Sequence, residues 1–189
     1  MRYLSLLLVV GLCWAAPVCA QHRTLSLEAS YPLPIGNTFL SQYDGVVGGS
    51  VTMGQPIGGR FALRLGLQYN RLHWDRAGTN ANIYTPRVGL AYQWKVSDRI
   101  AIIPAVGGSY TRFVFVNDVV RPEKYVATLN GGGFWVGLTP QYRVNDRWAL
   151  GLAMEYRATF MERSDTSINT QYNEQYHALV FGIVGTYTF

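Results

Sequence analysis

From Thr24 to the last residue the chain alternates apolar and polar side chains in runs of seven to fourteen residues. Successive residues of a β-strand face opposite ways, so this period of two reads as strands with one apolar and one polar face. Thr24 to Tyr31 sets Leu25, Leu27, Ala29 and Tyr31 against Ser26, Glu28 and Ser30. The same pattern runs through Val47 to Met53, Phe61 to Tyr69, Tyr84 to Val96, Ile100 to Thr111 and Phe134 to Val144. Trp148 to Phe160 is the cleanest, with Trp148, Leu150, Leu152, Met154, Tyr156 and Phe160 opposing Ala149, Gly151, Ala153, Glu155, Arg157 and Thr159. A last run from Tyr176 carries Leu179, Phe181, Ile183, Tyr187 and Phe189. These make about eight strands, of the length a tilted membrane strand needs.

The connections divide into two kinds. Gln55 to Gly59, Ser97 to Arg99 and Asn145 to Arg147 are tight turns, whereas Pro32 to Asp44, Asp75 to Asn82, Asn117 to Asn130 and Glu162 to Gln175 are longer. Short turns at one end and long loops at the other are the layout of an outer-membrane barrel, with both termini on the short-turn, periplasmic side. Val88 to Arg99 also echoes Val136 to Arg147, one hairpin design used twice.

Before the first strand, Arg2, the apolar run Leu4 to Leu12, Pro17 and the triplet Val18-Cys19-Ala20 describe a secretory signal peptide. The expected division is a signal over 1–20 and one barrel domain over 21–189, with a lipoprotein signal ending at Cys19 as the rival. Cys13 and Cys19 both fall in that segment, so the mature chain has no thiol for a disulfide, catalysis or a metal.

Alternation alone leaves open whether the apolar face points out to lipid or in to a ligand, as in a lipocalin-like barrel. Three features favour lipid outside. The polar face is lined with Gly48, Gly66, Gly89, Gly107, Gly137, Gly151 and Gly182, as a crowded lumen requires. The chain ends on an aromatic strand, with Phe189 at the very terminus. Aromatics gather near strand ends, with Tyr69, Tyr92, Trp94, Tyr142, Trp148, Tyr156 and Tyr187 the candidate girdles at the headgroups.

The eight alternating strands, the signal and the ending Tyr187-Thr188-Phe189 resemble the OmpA/OmpX-type small outer-membrane barrels. The resemblance covers the whole mature chain as a pattern. It implies an all-β, transmembrane, antiparallel up-and-down barrel in the bacterial outer membrane, with lipopolysaccharide and the barrel-assembly machinery as partners. Tyr187 and Phe189 match the terminal aromatic signal that machinery reads, although Val184 stands where that signal has glycine.

Within such a lumen the polar faces supply Glu28, Arg64, Gln68, Arg87, Gln93, Lys95, Gln141, Arg143, Glu155 and Arg157. Buried charges need partners, so a polar network of Glu28, Arg64, Arg87, Lys95, Arg143, Glu155 and Arg157 is expected, with Glu28 and Glu155 as hubs. Chemistry is poorly provided for. His22, His73 and His177 have no metal-ligand spacing, and no His-x-Ser pair of a lipid A deacylase occurs. Ser164, Asp165 and Ser167 stay open as companions of His177. No metal or cofactor is expected, and no basic run suits nucleic acid.

Arg71, Arg76, Arg112, Arg121, Lys124 and Arg163 are candidates for lipopolysaccharide phosphates. Arg112 to Val116 and Lys124 to Thr128 form either a projecting hairpin open to an extracellular partner or simply long paired strands. The expected function is therefore a non-enzymatic structural or surface-interaction barrel. A narrow channel or carrier for small solutes, and a lipid-modifying enzyme, are the alternatives.

Overall fold

The alternating runs emerge as antiparallel strands, most of them longer than their apolar pattern. The computed structural model describes residues 23–36, 40, 43–74, 79–117, 125–165 and 170–189. Its segments are β1 (Thr24–Ile35), β2 (Asp44–Gly58), β3 (Phe61–Trp74), β4 (Thr79–Tyr92), β5 (Trp94–Lys95), β6 (Ile100–Asn117), β7 (Tyr125–Arg143), β8 (Trp148–Asp165) and β9 (Thr170–Thr188). β4 and β5 are one stave broken at Gln93, whose N–H donates to the Arg60 carbonyl at 2.8 Å. The signal segment 1–20, with both cysteines, lies outside the described residues, as do His22, Arg76, Arg121, Lys124 and Ser167.

Sequence neighbours pair throughout, and β1 closes on β9 while β4 pairs directly with β6 across the short β5, so the eight staves form a closed barrel. One register line runs from Thr24 through Gly54, Arg64, Gly89, Gly107, Trp135, Arg157 and Ala178, and returns to β1 at Pro34. That stagger of ten residues over eight staves corresponds to a strand tilt of about 40° and a lumen wide enough only for side chains. Pro86 and Pro140, which lack an N–H, sit where the β4–β6 and β7–β8 ladders skip pairs.

Orientation settles the open question of faces. Leu27, Val51, Leu67, Val106, Leu152 and Ile183 all point outward, the last 66% exposed, while Ser50, Thr52, Gln68, Arg87 and Arg157 are buried inside. An exterior belt of this kind belongs in lipid, and the lipocalin-like alternative is overturned.

Thr24 lies opposite Thr188, so both ends of the barrel chain meet at the end bearing the turns 59–60, 96–99 and 144–147. The opposite connections are shorter than the sequence suggested. β1 and β9 stay paired to Ile35↔His177, β3 and β4 to Trp74↔Thr79, and β8 and β9 to Asp165↔Thr170. The ladder outlasts the outward apolar pattern because alternation continues with inverted phase. Above Tyr69 and Tyr84 the outward residues are Arg71, His73, Asn80 and Asn82, and the inward ones are Leu72, Trp74, Ala81 and Ile83. Polar outside and apolar inside is what a barrel section in water requires.

The supposed projecting hairpin is half enclosed. β6 is paired with β4 as far as Thr79↔Asn117, whereas among the described residues the β7–β8 ladder starts at Gly131↔Met161, leaving Tyr125–Asn130 paired to β6.

Gly89 and Gly107 face each other beneath the Trp135 indole. A Cβ on Gly89 would stand 2.5 Å from Trp135 Cζ2, and one on Gly107 would stand 2.0 Å from the Val88 carbonyl oxygen. Replacing Gly107 by Val is therefore expected to destabilise the refolded barrel by about 1–3 kcal/mol or more. Urea unfolding followed by heat-dependent gel mobility measures this; an unchanged midpoint would show that the lumen yields.

Candidate functional site in the lumen

Side chains facing the lumen sort into three levels. Midway, β4 carries Arg87 and β8 carries Glu155 and Arg157, two residues apart and therefore on one face. Arg87 Nη1 donates to Glu155 Oε2 at 2.5 Å and to Gln68 Oε1 at 3.1 Å. Its Nη2 donates to Ser50 Oγ and Thr52 Oγ1, both at 3.1 Å, and lies 3.7 Å from Glu28 Oε2. Ser50 in turn donates to Glu28 Oε2 at 2.9 Å. Arg157 Nη2 donates to Glu155 Oε1 at 2.5 Å and also to Gln68, while its Nη1 reaches Thr85 Oγ1 at 3.5 Å. The Arg87 guanidinium lies over the Trp135 ring at 5.2 Å.

This layer ties β1, β2, β3, β4 and β8 across the lumen, with two cations on two carboxylates. Glu155 bridges both arginines, whereas Glu28 holds only the Arg87 side. Arg64 shares the face and is attracted through space by Glu28 and Glu155, but makes no hydrogen bond or salt bridge with a described residue. Lys95 and Arg143 are exposed, below the layer beside the 96–99 turn. The alternation gave their face and left their depth unspecified.

Above the layer the lumen is apolar. Leu72, Ala81, Ile83, Phe113, Met161, Tyr176 and Ala178 form one buried cluster, with Trp74, Phe115 and Leu129 packed on it. Leu40 and Tyr43, from the connection after β1, close it from the end. Phe113 meets Tyr176 edge-on at 5.5 Å, and burial raises the Tyr43 hydroxyl above its ordinary pKa, keeping it neutral. None of this plug was anticipated, although its inward residues repeat every second position.

Below the layer, a cavity of about 360 Å³ opens at the short-turn end, with Ser26, Ala62, Arg64, Gln93, Ile103 and Gln141 in its wall. Gln141 Nε2 donates to Thr186 Oγ1 at 3.0 Å, and Thr186 shares a hydrogen bond with Ser26 at 2.9 Å.

On the outer surface the girdle candidates fall at two heights. Phe61–Tyr92 at 5.0 Å, Trp148–Tyr187 at 4.9 Å and Tyr187–Phe189 at 5.0 Å ring the short-turn end, where Trp94 and Tyr142 also face outward. Tyr69–Tyr84 at 5.3 Å and Phe134–Tyr156 at 6.3 Å lie at the other height. Tyr156 and Trp148 are eight residues apart on β8, roughly 20 Å of membrane depth at about 3.3 Å per residue and 40° tilt.

The histidines are engaged elsewhere. His177 Nδ1 bonds the Tyr156 hydroxyl at 2.7 Å and its Nε2 the Gln175 amide oxygen at 3.2 Å. Ala158 is its register partner, and Ser164 lies six residues further along β8, roughly 20 Å away at about 3.3 Å per residue. His73 Nδ1 bonds Asn80 Oδ1 at 2.9 Å.

No protein-family model and no curated protein sequence matches this chain. Solved structures do. Neisserial surface protein A is 16% identical with a TM-score of 0.56, over 88% of this chain and 97% of that one. OprG, an outer membrane protein from Pseudomonas aeruginosa, is 13% identical with a TM-score of 0.56, over 90% and 96%. Ail, the attachment invasion locus protein of Yersinia pestis, is 8% identical with a TM-score of 0.52, over 89% and 97%. The chain thus has the fold of the small eight-stranded outer-membrane barrels.

Removing one member of a buried charge layer strands the others. Glu155→Leu is expected to cost about 3–5 kcal/mol, and Arg157→Leu a similar amount, while the Glu155→Leu, Arg157→Leu pair loses less than the two singles together. Urea titration of the refolded barrels gives the comparison; additive losses would contradict a coupled layer.

Proposed function

We propose that this chain is a non-conducting, non-enzymatic outer-membrane barrel that acts through its outer rim. The apolar plug carries this reading. Leu72, Ile83, Phe113, Met161 and Tyr176 are all 1% exposed or less, so the lumen offers water no continuous path past them. A channel would have to displace both this plug and the charge layer beneath it.

In this reading residues 1–20 are the export signal and the chain from Gln21 is the barrel domain, with its termini in the periplasm. Tyr187 and Phe189 form the aromatic end recognised by the assembly machinery. Arg71 and Arg112 are exposed outward at the level of Tyr69 and Tyr84, at the upper edge of the apolar belt, where lipopolysaccharide phosphates lie. Asn82 lies between them on β4, opposite Arg71 and one outward position from Tyr84, which opposes Arg112. Ail has been solved in complex with the heparin analogue sucrose octasulfate, which makes a surface-interaction role a natural one for this fold. The outer connections are the surface for an extracellular protein partner.

The lipid-modifying alternative has little to work with, since His177 is bound to Tyr156 and Gln175 and Ser164 is remote. Planar-bilayer recordings of the refolded protein are expected to stay silent; steady single-channel conductance would sink the reading. In cells, the protein is expected in the outer-membrane fraction with a heat-dependent gel shift, and recovery as a soluble periplasmic protein would overturn it.

A further inference from the structure

The charge layer is balanced without Arg64. Glu28 and Glu155 are bonded to Ser50, Arg87 and Arg157, and neither carboxylate is hydrogen-bonded to the Arg64 guanidinium. Arg64 instead lies at the junction of the layer and the short-turn cavity, lining both that cavity and a gap of only about 20 Å³ beneath Arg87 and Trp135. The third arginine thus leaves the layer one positive charge in excess: both carboxylates attract it through space, but neither is bonded to it.

The cavity around it has the attributes of a small-ligand site. Its volume of about 360 Å³ lies within the range of roughly 300–1,000 Å³ typical of such pockets. One wall is apolar, from Pro56, Ala62, Ala91 and Ile103. Gln93 and Gln141 supply amides, and Arg60 stands exposed at the mouth. Further cations follow at the same end: Lys95, Arg99 and Arg143 border an adjoining groove in which Asp98 is the carboxylate. An anion entering from this end meets positive charge at the rim and a guanidinium in the wall, in surroundings of reduced dielectric.

We propose that this cavity binds a small organic anion, its carboxylate or phosphate on Arg64 and its compact apolar body against Pro56, Ala62 and Ile103. The inference concerns the short-turn end itself and does not depend on the side of the membrane that end faces. A guanidinium presents a planar fork of donors that suits either oxyanion, so the two chemistries share the site.

The test uses the full barrel in zwitterionic nanodiscs, with empty nanodiscs as the blank. Titration calorimetry is run with hexanoate, phenyl phosphate, hexanol and inorganic phosphate. Hexanoate or phenyl phosphate is expected to bind saturably, and Arg64→Gln to weaken it by at least about tenfold, as for loss of a charged hydrogen bond. Arg64→Lys keeps the charge but loses the fork and is expected to bind more weakly than the parent yet more tightly than Arg64→Gln, which separates loss of the anion contact from misfolding. Hexanol binding as well as hexanoate, or Arg64→Gln binding like the parent, would overturn the proposal. Inorganic phosphate binding as tightly as either organic anion would overturn its apolar half, and no saturable binding by any of the four would overturn it altogether.

Discussion

A closed sheet of eight staves with a stagger of ten residues leaves a lumen that only side chains can fill, and the rest of the molecule follows from that constraint. Whatever charge is placed inside must find its partner inside. Arg87 and Arg157 do so on Glu155 and Glu28, with Gln68, Ser50, Thr52 and Thr85 accepting further donors, while Arg157 Nε finds no partner among the described residues. The apolar plug above and the apolar belt around the layer keep the dielectric low, which strengthens each contact and raises the cost of losing one. Where the layer ends, at Arg64, the lumen widens into the cavity of the short-turn end.

The outer surface shows where this packing problem changes sign. Between the two aromatic levels the barrel is apolar outside and polar inside. Beyond Tyr69 and Tyr84, β3 and β4 become polar outside and apolar inside, although the same strands continue unbroken. One ladder therefore serves two solvents, lipid along the belt and water beyond it. The boundary falls at the tyrosines, whose rings are at home between the two, and Tyr69 donates its hydroxyl to Asn82 just above at 2.8 Å.

That inversion explains what the sequence conceals. Trp148 to Phe160 announces its strand because every second residue meets lipid. Thr79 to Asn82 alternates equally well, but its polar residues, on what had been the apolar face, read as part of a loop. Trp135 was missed for a different reason. Phe134, Trp135 and Val136 are all apolar, so the run has no visible period, and only the pairing with Gly107 and Arg157 turns the indole inward. Glu155 and Arg157 could be read as one face of one strand. That Arg87 meets them while Lys95, on the same stave and face, does not is a matter of depth, which depends on register around the whole barrel.

The charge layer, the plug and the closed path all rest on one assignment of faces, which the native tryptophans test most directly. In variants keeping a single tryptophan, the others changed to Phe, lipids brominated along their chains are expected to quench Trp148 strongly and Trp135 only weakly. Trp148 is 49% exposed on the outer face and Trp135 is 2% exposed in the lumen. Quenching of Trp135 as strong as that of Trp148 would place the indole in lipid and contradict the packed lumen on which the charge layer, the plug and the closed path depend.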